Sequence, residues 1–334
     1  MLIITGAAGF IGSNLALQLA SLGYELWLVD TPLTPATAAN LVGLSHFTFI
    51  EQQRFLRVLE SPLPACQGVF HLGACQSTAA TGWDLLYANN VAYSQALWRW
   101  CVRQQCPFLY ASSAATYGDG SQGFDDRTPP AQLKPLSLYG QSKNLFDQWL
   151  LEEVAAGQPT PPGWAGLKFF NVYGPREAHK GRLASMVWQA YEQMATTGEV
   201  RLFQSTDPAY PDGGQQRDFI YVADCIAHLL WLWHHPQVCG LFNSGTGEAR
   251  TFHEMVLAVC VALGRPPRIR YIDMPAEIRG QYPPCMQANM TSLRRAGYNQ
   301  PATSLERGVS QLLAAEQARL CRPGGLHAGM KATL

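Results

Sequence analysis

Tyr139 and Lys143 stand four residues apart in the run Tyr139-Gly140-Gln141-Ser142-Lys143. On a helix that spacing puts both side chains on one face. A lysine ammonium beside a phenol favours the phenolate and lowers its pKa. A tyrosine lowered in this way can take and return a proton near neutral pH. Such a pair also arises on ordinary helices, so the upstream run Ser112-Ser113-Ala114-Ala115-Thr116-Tyr117-Gly118 matters. It closes an apolar strand, and Ser113 could hydrogen-bond a reacting oxygen. Open α/β sheets bind ligands at the carboxyl ends of their strands.

A glycine pattern supplies the second piece of chemistry. Gly6-Ala7-Ala8-Gly9-Phe10-Ile11-Gly12 follows an apolar strand and opens a helical stretch. Gly6 permits a tight turn, Gly9 lets the backbone approach a pyrophosphate, and Gly12 allows close helix–strand packing. The helix start then offers free N–H groups and a positive dipole end to phosphates. Asp30 ends the next strand, where an acidic group meets an adenosine ribose hydroxyl. A dinucleotide site is expected.

These groups need a scaffold. Strands are expected at residues 2–5, 25–30, 46–50, 68–72, 107–112 and 166–171, with helices at 13–22, 87–104 and 138–155 between them. Strand–helix alternation implies right-handed crossovers and a parallel sheet covered on both faces. The expected class is α/β, a Rossmann-type doubly wound parallel sheet with a smaller C-terminal substrate-binding lobe. Residues 1–172 form mainly the dinucleotide-binding part. Residues 173–321 form mainly the lobe, some segments returning to the first part, and 322–334 form a flexible tail. Loops are expected at 118–135, 157–163 and 204–216, where Gly, Pro and Asp concentrate.

Composition narrows the classes. Of 334 residues 47% are hydrophobic and 14% charged, and the formal net charge is zero. That suits a globular chain and advertises neither a nucleic-acid nor a membrane partner. The nine cysteines show no CxxC pair and no metal-ligand spacing, so reduced thiols and no metal are expected. With no leader-like start and no apolar run long enough to span a bilayer, the expected location is the cytoplasm. His71 and Cys75 are expected to wall the cofactor. Trp98, Trp100, Trp231 and Trp233 are assigned to core or subunit interface, and His234-His235 to a solvated helix end.

Three further runs carry a resemblance: Asn171-Val172-Tyr173-Gly174-Pro175-Arg176, Arg217-Asp218-Phe219-Ile220-Tyr221-Val222-Ala223-Asp224, and Phe242-Asn243-Ser244-Gly245-Thr246-Gly247. With the motifs above, the chain resembles the extended short-chain dehydrogenase/reductase family of nucleotide-sugar epimerases, dehydratases and relatives. Sugar 4,6-dehydratases of this kind carry Asp-Glu where Ala114 and Ala115 stand, so dehydration is disfavoured. Over nearly the whole chain, the similarity is closer to the ADP-glycero-manno-heptose 6-epimerases. It is carried by Pro175-Arg176-Glu177-Ala178-His179-Lys180-Gly181, by the stretch 108–118, and by Gln287-Ala288-Asn289-Met290-Thr291.

The resemblance implies an isomerase acting on ADP-D-glycero-D-manno-heptose. Hydride leaves C6 for an oxidised nicotinamide, and the resulting ketone takes it back on its other face. Tyr139 serves one epimer and Lys180 the other, with Lys143 and Ser113 in support. Taken without the resemblance, Lys180 reads as a solvated loop lysine or a phosphate contact. Implied cofactor contacts are Gly6, Gly9, Phe10, Ile11, Gly12, Asp30, Thr31, Leu72, Gly73, Ala74, Cys75, Asn89, Tyr139, Lys143, Val172 and Lys180. Implied substrate contacts are Ser113, Asn171, Arg182, Gln189, Phe203, Gln204, Ser205, Arg217 and Tyr282. Arg217 suits a diphosphate because guanidinium bonds it bidentately.

Two matters stay open. NADP is the family expectation, yet Thr37 and Gln52 occupy the slots of the lysines that hold its 2′-phosphate. Arg54 or Arg57 could substitute, while Asp30 by itself points to NAD. Arg182 replaces a family serine and Gln189 a histidine, which leaves the exact sugar and nucleotide open. A homo-oligomer is expected. Rival readings are another NAD(P)-dependent nucleotide-sugar epimerase or reductase, and a dinucleotide-sensing interaction protein. Against the second stands the intact set of Ser113, Tyr139 and Lys143, which a sensor does not need.

Overall fold

Leu2, Ile3 and Ile4 are all fully buried, and they divide between two apolar clusters: Leu2 and Ile4 in one, Ile3 in the other. Alternation along a strand sends successive side chains to opposite faces. A strand covered on both faces therefore reads as an unbroken apolar run, and that places β1 (Leu2–Thr5) at the heart of a sheet. The structure, a computed structural model, describes residues 1–61, 63–76, 82–275, 283–320 and 330–331.

Around β1 lie β2 (Leu26–Asp30), β3 (Phe47–Glu51), β4 (Gly68–His71), β5 (Phe108–Ser113) and β6 (Trp164–Phe169). All pair in parallel. Next come β7 (Asn171–Tyr173), β8 (Val200–Phe203), β9 (Gln216–Arg217), β10 (Phe219–Tyr221) and β11 (Gly240–Ser244). The main sheet runs β11-β6-β5-β4-β1-β2-β3, all parallel, so a late segment returns to its edge beside β6. This is the expected doubly wound α/β arrangement. Outside it, β7 pairs with β10, while β9 lies between Arg250–Thr251 and Cys285–Met286. Most of the tail expected at 322–334 lies outside the described residues; within it Met330–Lys331 pair in parallel with Phe47 and Thr48.

The helices begin where their caps dictate. Helix α1 (Phe10–Ser21) starts earlier than expected because the glycine turn runs straight into it. The stretch expected as one helix from residue 87 divides into a π-helical turn, Tyr87–Ala92, and α2 (Tyr93–Gln104). Helix α3 (Leu138–Ala155) has the expected bounds; the Ser137 hydroxyl accepts from the Gly140 N–H at 3.1 Å and satisfies an orphan donor of the first turn. The strand expected at 166–171 is two strands, β6 and β7, because β7 leaves the main sheet for β10. Trp98 and Trp100 are core residues, and Trp231 stacks on His235 at 4.2 Å. Among the described residues no helix is long and apolar enough to cross a membrane.

A buried ion pair pins α3 to the sheet. Lys168 Nζ of β6 lies 2.7 Å from Asp147 Oδ2 of α3, with both side chains fully enclosed. Asp147 also accepts from Tyr110 Oη and Ser112 Oγ, each at 2.7 Å, and Lys168 donates to Thr116 Oγ1 at 2.8 Å. Removing one partner leaves an uncompensated buried charge. Lys168→Met is expected to cost about 3–5 kcal/mol of folding stability. Urea denaturation checks this, and a loss under about 1 kcal/mol would mean Asp147 is satisfied by its hydroxyl donors alone.

Candidate active site

The glycine turn is sterically obligatory at two points. Gly6 has φ +66°, and a Cβ there would stand 2.5 Å from the Gly73 nitrogen. A Cβ on Gly12 would stand 2.1 Å from the Gly6 carbonyl oxygen. The turn is held from below by Asp30: Oδ2 accepts the Ala8 N–H at 2.8 Å, and Oδ1 accepts the Thr31 N–H at 2.8 Å. Above it opens a cleft of about 820 Å³. Gly6, Gly9, Phe10, Ile11, Gly12, Asp30, Thr31, Leu72, Gly73, Ala74, Cys75, Asn89 and Lys180 all line it. Of the expected cofactor contacts, only Tyr139, Lys143 and Val172 are not among its lining residues. The turn, the ready N-terminus of α1 and the carboxylate at the end of β2 suit a dinucleotide.

Tyr139, in the first turn of α3, hydrogen-bonds Ser113 at the end of β5 and Gln76 in the cleft wall. Lys143, one turn on, is buried. The expected lowering of the phenol does not hold. Burial pushes the Tyr139 phenol above its ordinary value, and the Asp147 carboxylate adds to this, against the Ser113 and Gln76 hydrogen bonds. Lys143 is itself pushed down to about 8, first by burial, with Lys168 acting in the same sense and Asp147 opposing. Desolvation disfavours both charged forms, and within this site it outweighs the attraction that the four-residue spacing suggests.

Lys180 reaches the cleft from the turn Ala178–Leu183. Its Nζ lies over the Phe10 ring, 5.6 Å from the centroid. Burial lowers its pKa, with the Glu177 carboxylate opposing. Burial beside an aromatic ring favours the neutral amine, the form that accepts a proton. Glu177 is enclosed and ties the loop's two ends together, accepting from the Gly174 N–H at 3.1 Å, the Ser185 N–H at 2.6 Å and Ser185 Oγ at 2.8 Å.

The expected substrate contacts come from several elements and do not line this cleft. Asn171, at the start of β7, donates its N–H to the Asp218 carbonyl at 3.1 Å, and its buried Oδ1 has no hydrogen-bond partner. Arg217 is buried over the Phe252 ring and donates to the Gln216 carbonyl at 2.7 Å. Phe203 closes β8; the Gln204 N–H bonds the Ile272 carbonyl at 2.8 Å, and the Ser205 N–H bonds Asp212 at 2.7 Å. Gln189 donates to the Ala184 carbonyl at 2.8 Å and so supports the loop of Lys180, while Arg182 is exposed on it. Tyr282 lies outside the described residues.

Three buried polar residues act as ties. Asp218 accepts from the Thr246, Gly247 and Ala288 N–H groups at 2.7, 2.9 and 3.1 Å. One carboxylate thus knits together three of the runs quoted from the sequence. Asn90 was not legible: its amide bonds both the N–H and carbonyl of Cys75, at 2.8 and 3.0 Å, and donates to Ser142 Oγ at 2.9 Å. It therefore joins the cleft wall to the helix of Tyr139 and Lys143. The only sequence signal was its place beside Asn89. His71 is enclosed between Thr5 and Ser94, at 2.6 and 2.8 Å, and is structural.

Known proteins agree with this geometry. Residues 2–243 match the NAD dependent epimerase/dehydratase family. A protein of Nitratidesulfovibrio vulgaris named ADP-L-glycero-D-manno-heptose-6-epimerase is 46% identical over 93% of this chain and 96% of its own length. The crystal structure of the Helicobacter pylori ADP-L-glycero-D-manno-heptose-6-epimerase aligns with a TM-score of 0.78 at 28% identity, covering 95% of this chain and 96% of that one. The Thermus thermophilus UDP-glucose 4-epimerase, in complex with NAD, aligns at 0.74 with 26% identity over 95% and 98% of the two chains. With its glycine turn, its Ser113–Tyr139–Lys143 set and a full-length likeness to these enzymes, the chain belongs to the NAD dependent epimerase/dehydratase family.

Proposed function

We propose that this enzyme epimerises ADP-D-glycero-D-manno-heptose at C6, giving the L-glycero epimer through a 6-keto intermediate. The observation that carries the reading is a half-buried lysine, Lys180, on the wall of the dinucleotide cleft. Tyr139 stands behind that wall, beside its residue Gln76. The full-length relatives with that name support the choice of substrate. A bound nicotinamide supplies the acceptor for the hydride and returns the hydride to the same carbon. Tyr139 takes the C6 hydroxyl proton of one epimer, with Ser113 donating to the same oxygen. Lys143 holds a positive charge close by while protonated, below about pH 8. Lys180 exchanges the proton for the other epimer, so the ketone is served in two orientations. Asn171 and Arg217 hold the nucleotide sugar, the first offering its unpartnered amide oxygen to a hydroxyl and the second meeting the diphosphate.

Purified enzyme incubated with ADP-D-glycero-D-manno-heptose, followed by NMR at C6, tests this. The expected result is an equilibrium mixture of both epimers with no solvent deuterium at C6. Turnover of UDP- or GDP-hexoses in place of the heptose would instead establish another nucleotide-sugar epimerase.

For the cofactor we infer NAD over NADP. Asp30 and Glu51 are register partners on β2 and β3, and both line the cleft. Arg54 and Arg57 border a separate depression with Gln53 and Glu51. Two carboxylates at the ribose end repel a 2′-phosphate. NADP is expected to bind at least about tenfold more weakly than NAD, a difference of about 1.4 kcal/mol. Glu51→Lys should narrow or reverse the gap. Calorimetric titration of both dinucleotides measures it, and tighter NADP binding by the unaltered enzyme would show that a cation closes on the site. We also place the enzyme in the cytoplasm as a homo-oligomer; exposed Trp83, Leu85 and Tyr87 support self-association, which sedimentation tests.

A further inference from the structure

Asn40 sits in the short turn Ala39–Leu41 between β2 and β3, and only 2% of its surface is exposed. Its amide nitrogen lies 3.0 Å from the Ala8 carbonyl of the glycine turn and 3.0 Å from His179 Nδ1. A side-chain amide carries two N–H donors, and these two acceptors use both. His179 Nδ1 also lies 3.1 Å from the Arg176 carbonyl; burial lowers the pKa of the ring against that contact, and in the neutral tautomer with the proton on Nε2 the Nδ1 atom accepts from Asn40. The Asn40 backbone carbonyl accepts from the Arg176 guanidinium, and Arg176 Nη2 reaches the Val42 carbonyl at 3.4 Å.

These contacts fall on a loop that needs holding. Arg176 has φ +73°, a conformation a non-glycine residue keeps only when its surroundings impose it. Its N–H bonds Glu316 at 3.1 Å, and its guanidinium is anchored on the backbone carbonyls of Asn40 and Val42. His179 directly precedes Lys180, and both line the cleft. On the other side the loop is tied at its far end, by Glu177 to Ser185 and by Gln189 to the Ala184 carbonyl, while at Gly181, with φ +51°, a Cβ would meet open space.

We propose that Asn40 is a positioning residue for Lys180, tying the phosphate-facing glycine turn to the loop that carries the second base. The inference rests on the catalytic reading of Lys180. It makes the turn and the lysine one mechanical unit.

Three variants of the full chain test it: Asn40→Ala, Asn40→Asp and His179→Ala. The aspartate keeps the shape but sets an oxygen against the Ala8 carbonyl. Misplacing a reacting group by about 1 Å costs up to about 100-fold in rate. The expected kcat for epimerisation therefore falls about 10–100-fold in each variant, with KM changed less than about threefold. Dismutation of a 6-aldehyde analogue, which needs Tyr139 but not both bases, is expected to change less than about threefold. Trypsin cleavage after Lys180 or Arg182 should quicken several-fold, a readout independent of activity. The Asn40→Ala, His179→Ala double variant should be little worse than the poorer single, as coupled residues require.

If kcat for epimerisation and loop proteolysis both stay at wild-type values in Asn40→Ala and His179→Ala, the proposal is overturned. It is equally overturned if the two partial reactions and the melting temperature fall together, because Asn40 is then merely structural. Lys180→Met separates this from the underlying reading. Full epimerisation by that variant would sink the catalytic role of Lys180, and the proteolysis result would still decide whether Asn40 holds the loop.

Discussion

Tyr139→Phe is expected to lower epimerisation by about 10²–10⁴-fold, the contribution of a positioned acid–base group. At about 1.36 kcal/mol per factor of ten, that corresponds to about 3–5 kcal/mol of barrier. The substitution deletes one oxygen and keeps the ring. Ser113 and Gln76 lose a partner, while the α3 cap at Ser137 and the Asp147–Lys168 pair are untouched. Folding stability should change little, and because Tyr139 does not line the dinucleotide cleft, cofactor affinity should stay close to wild type. Steady-state rates, a melting curve and a cofactor titration check the three parts together. A variant with near wild-type kcat would remove Tyr139 from the mechanism.

Lys180→Met should be as damaging to the whole reaction and much less so to half of it. Methionine keeps the length and the contact over Phe10 but cannot exchange a proton. Epimerisation needs both orientations of the ketone and is expected to fall about 10²–10⁴-fold. Dismutation of the 6-aldehyde analogue should survive through Tyr139. The melting temperature should hold or rise, since burial opposes the charged lysine. The pH profile gives a separate check. Lys180 accepts a proton only when neutral, and its pKa lies below the ordinary 10.5. The Lys180-dependent step should therefore rise with pH through a pKa below that value, and the variant should lose the limb. A Tyr139→Phe, Lys180→Met double variant should be only modestly worse than the poorer single if the two act in series. Normal epimerisation by Lys180→Met would favour a single-base reaction in which the sugar turns over Tyr139.

Much of the fold was legible because it is written in local pattern. Short apolar runs separated by helical periodicity mark strands buried on both faces, and β1, β2, β4 and β5 stand within a residue or so of their expected bounds. The glycine turn was legible because the turn's own backbone gives Gly6 a positive φ and leaves no room for a side chain at Gly12. Tyr139, Lys143 and Ser113 were legible as types at a spacing, and Lys180 only through the resemblance of its loop. Local pattern also set the bounds of α3, whose cap and first turn lie within four residues.

What the chain's tertiary structure decided was environment. Spacing alone suggested that Lys143 lowers the Tyr139 phenol, yet burial raises it, because desolvation depends on everything packed around the site and not on the residue four positions away. The roles of Asn40 and Asn90 were invisible for a related reason. Each bonds backbone groups of a segment distant in sequence, Ala8 in one case and Cys75 in the other, and asparagines in such places carry no periodic signal. Glu51 reached the cleft beside Asp30 only through the register of β2 against β3. Residue types and spacings specify which chemistry is available, but long-range pairing and exclusion of water determine which charges stand there and what holds them.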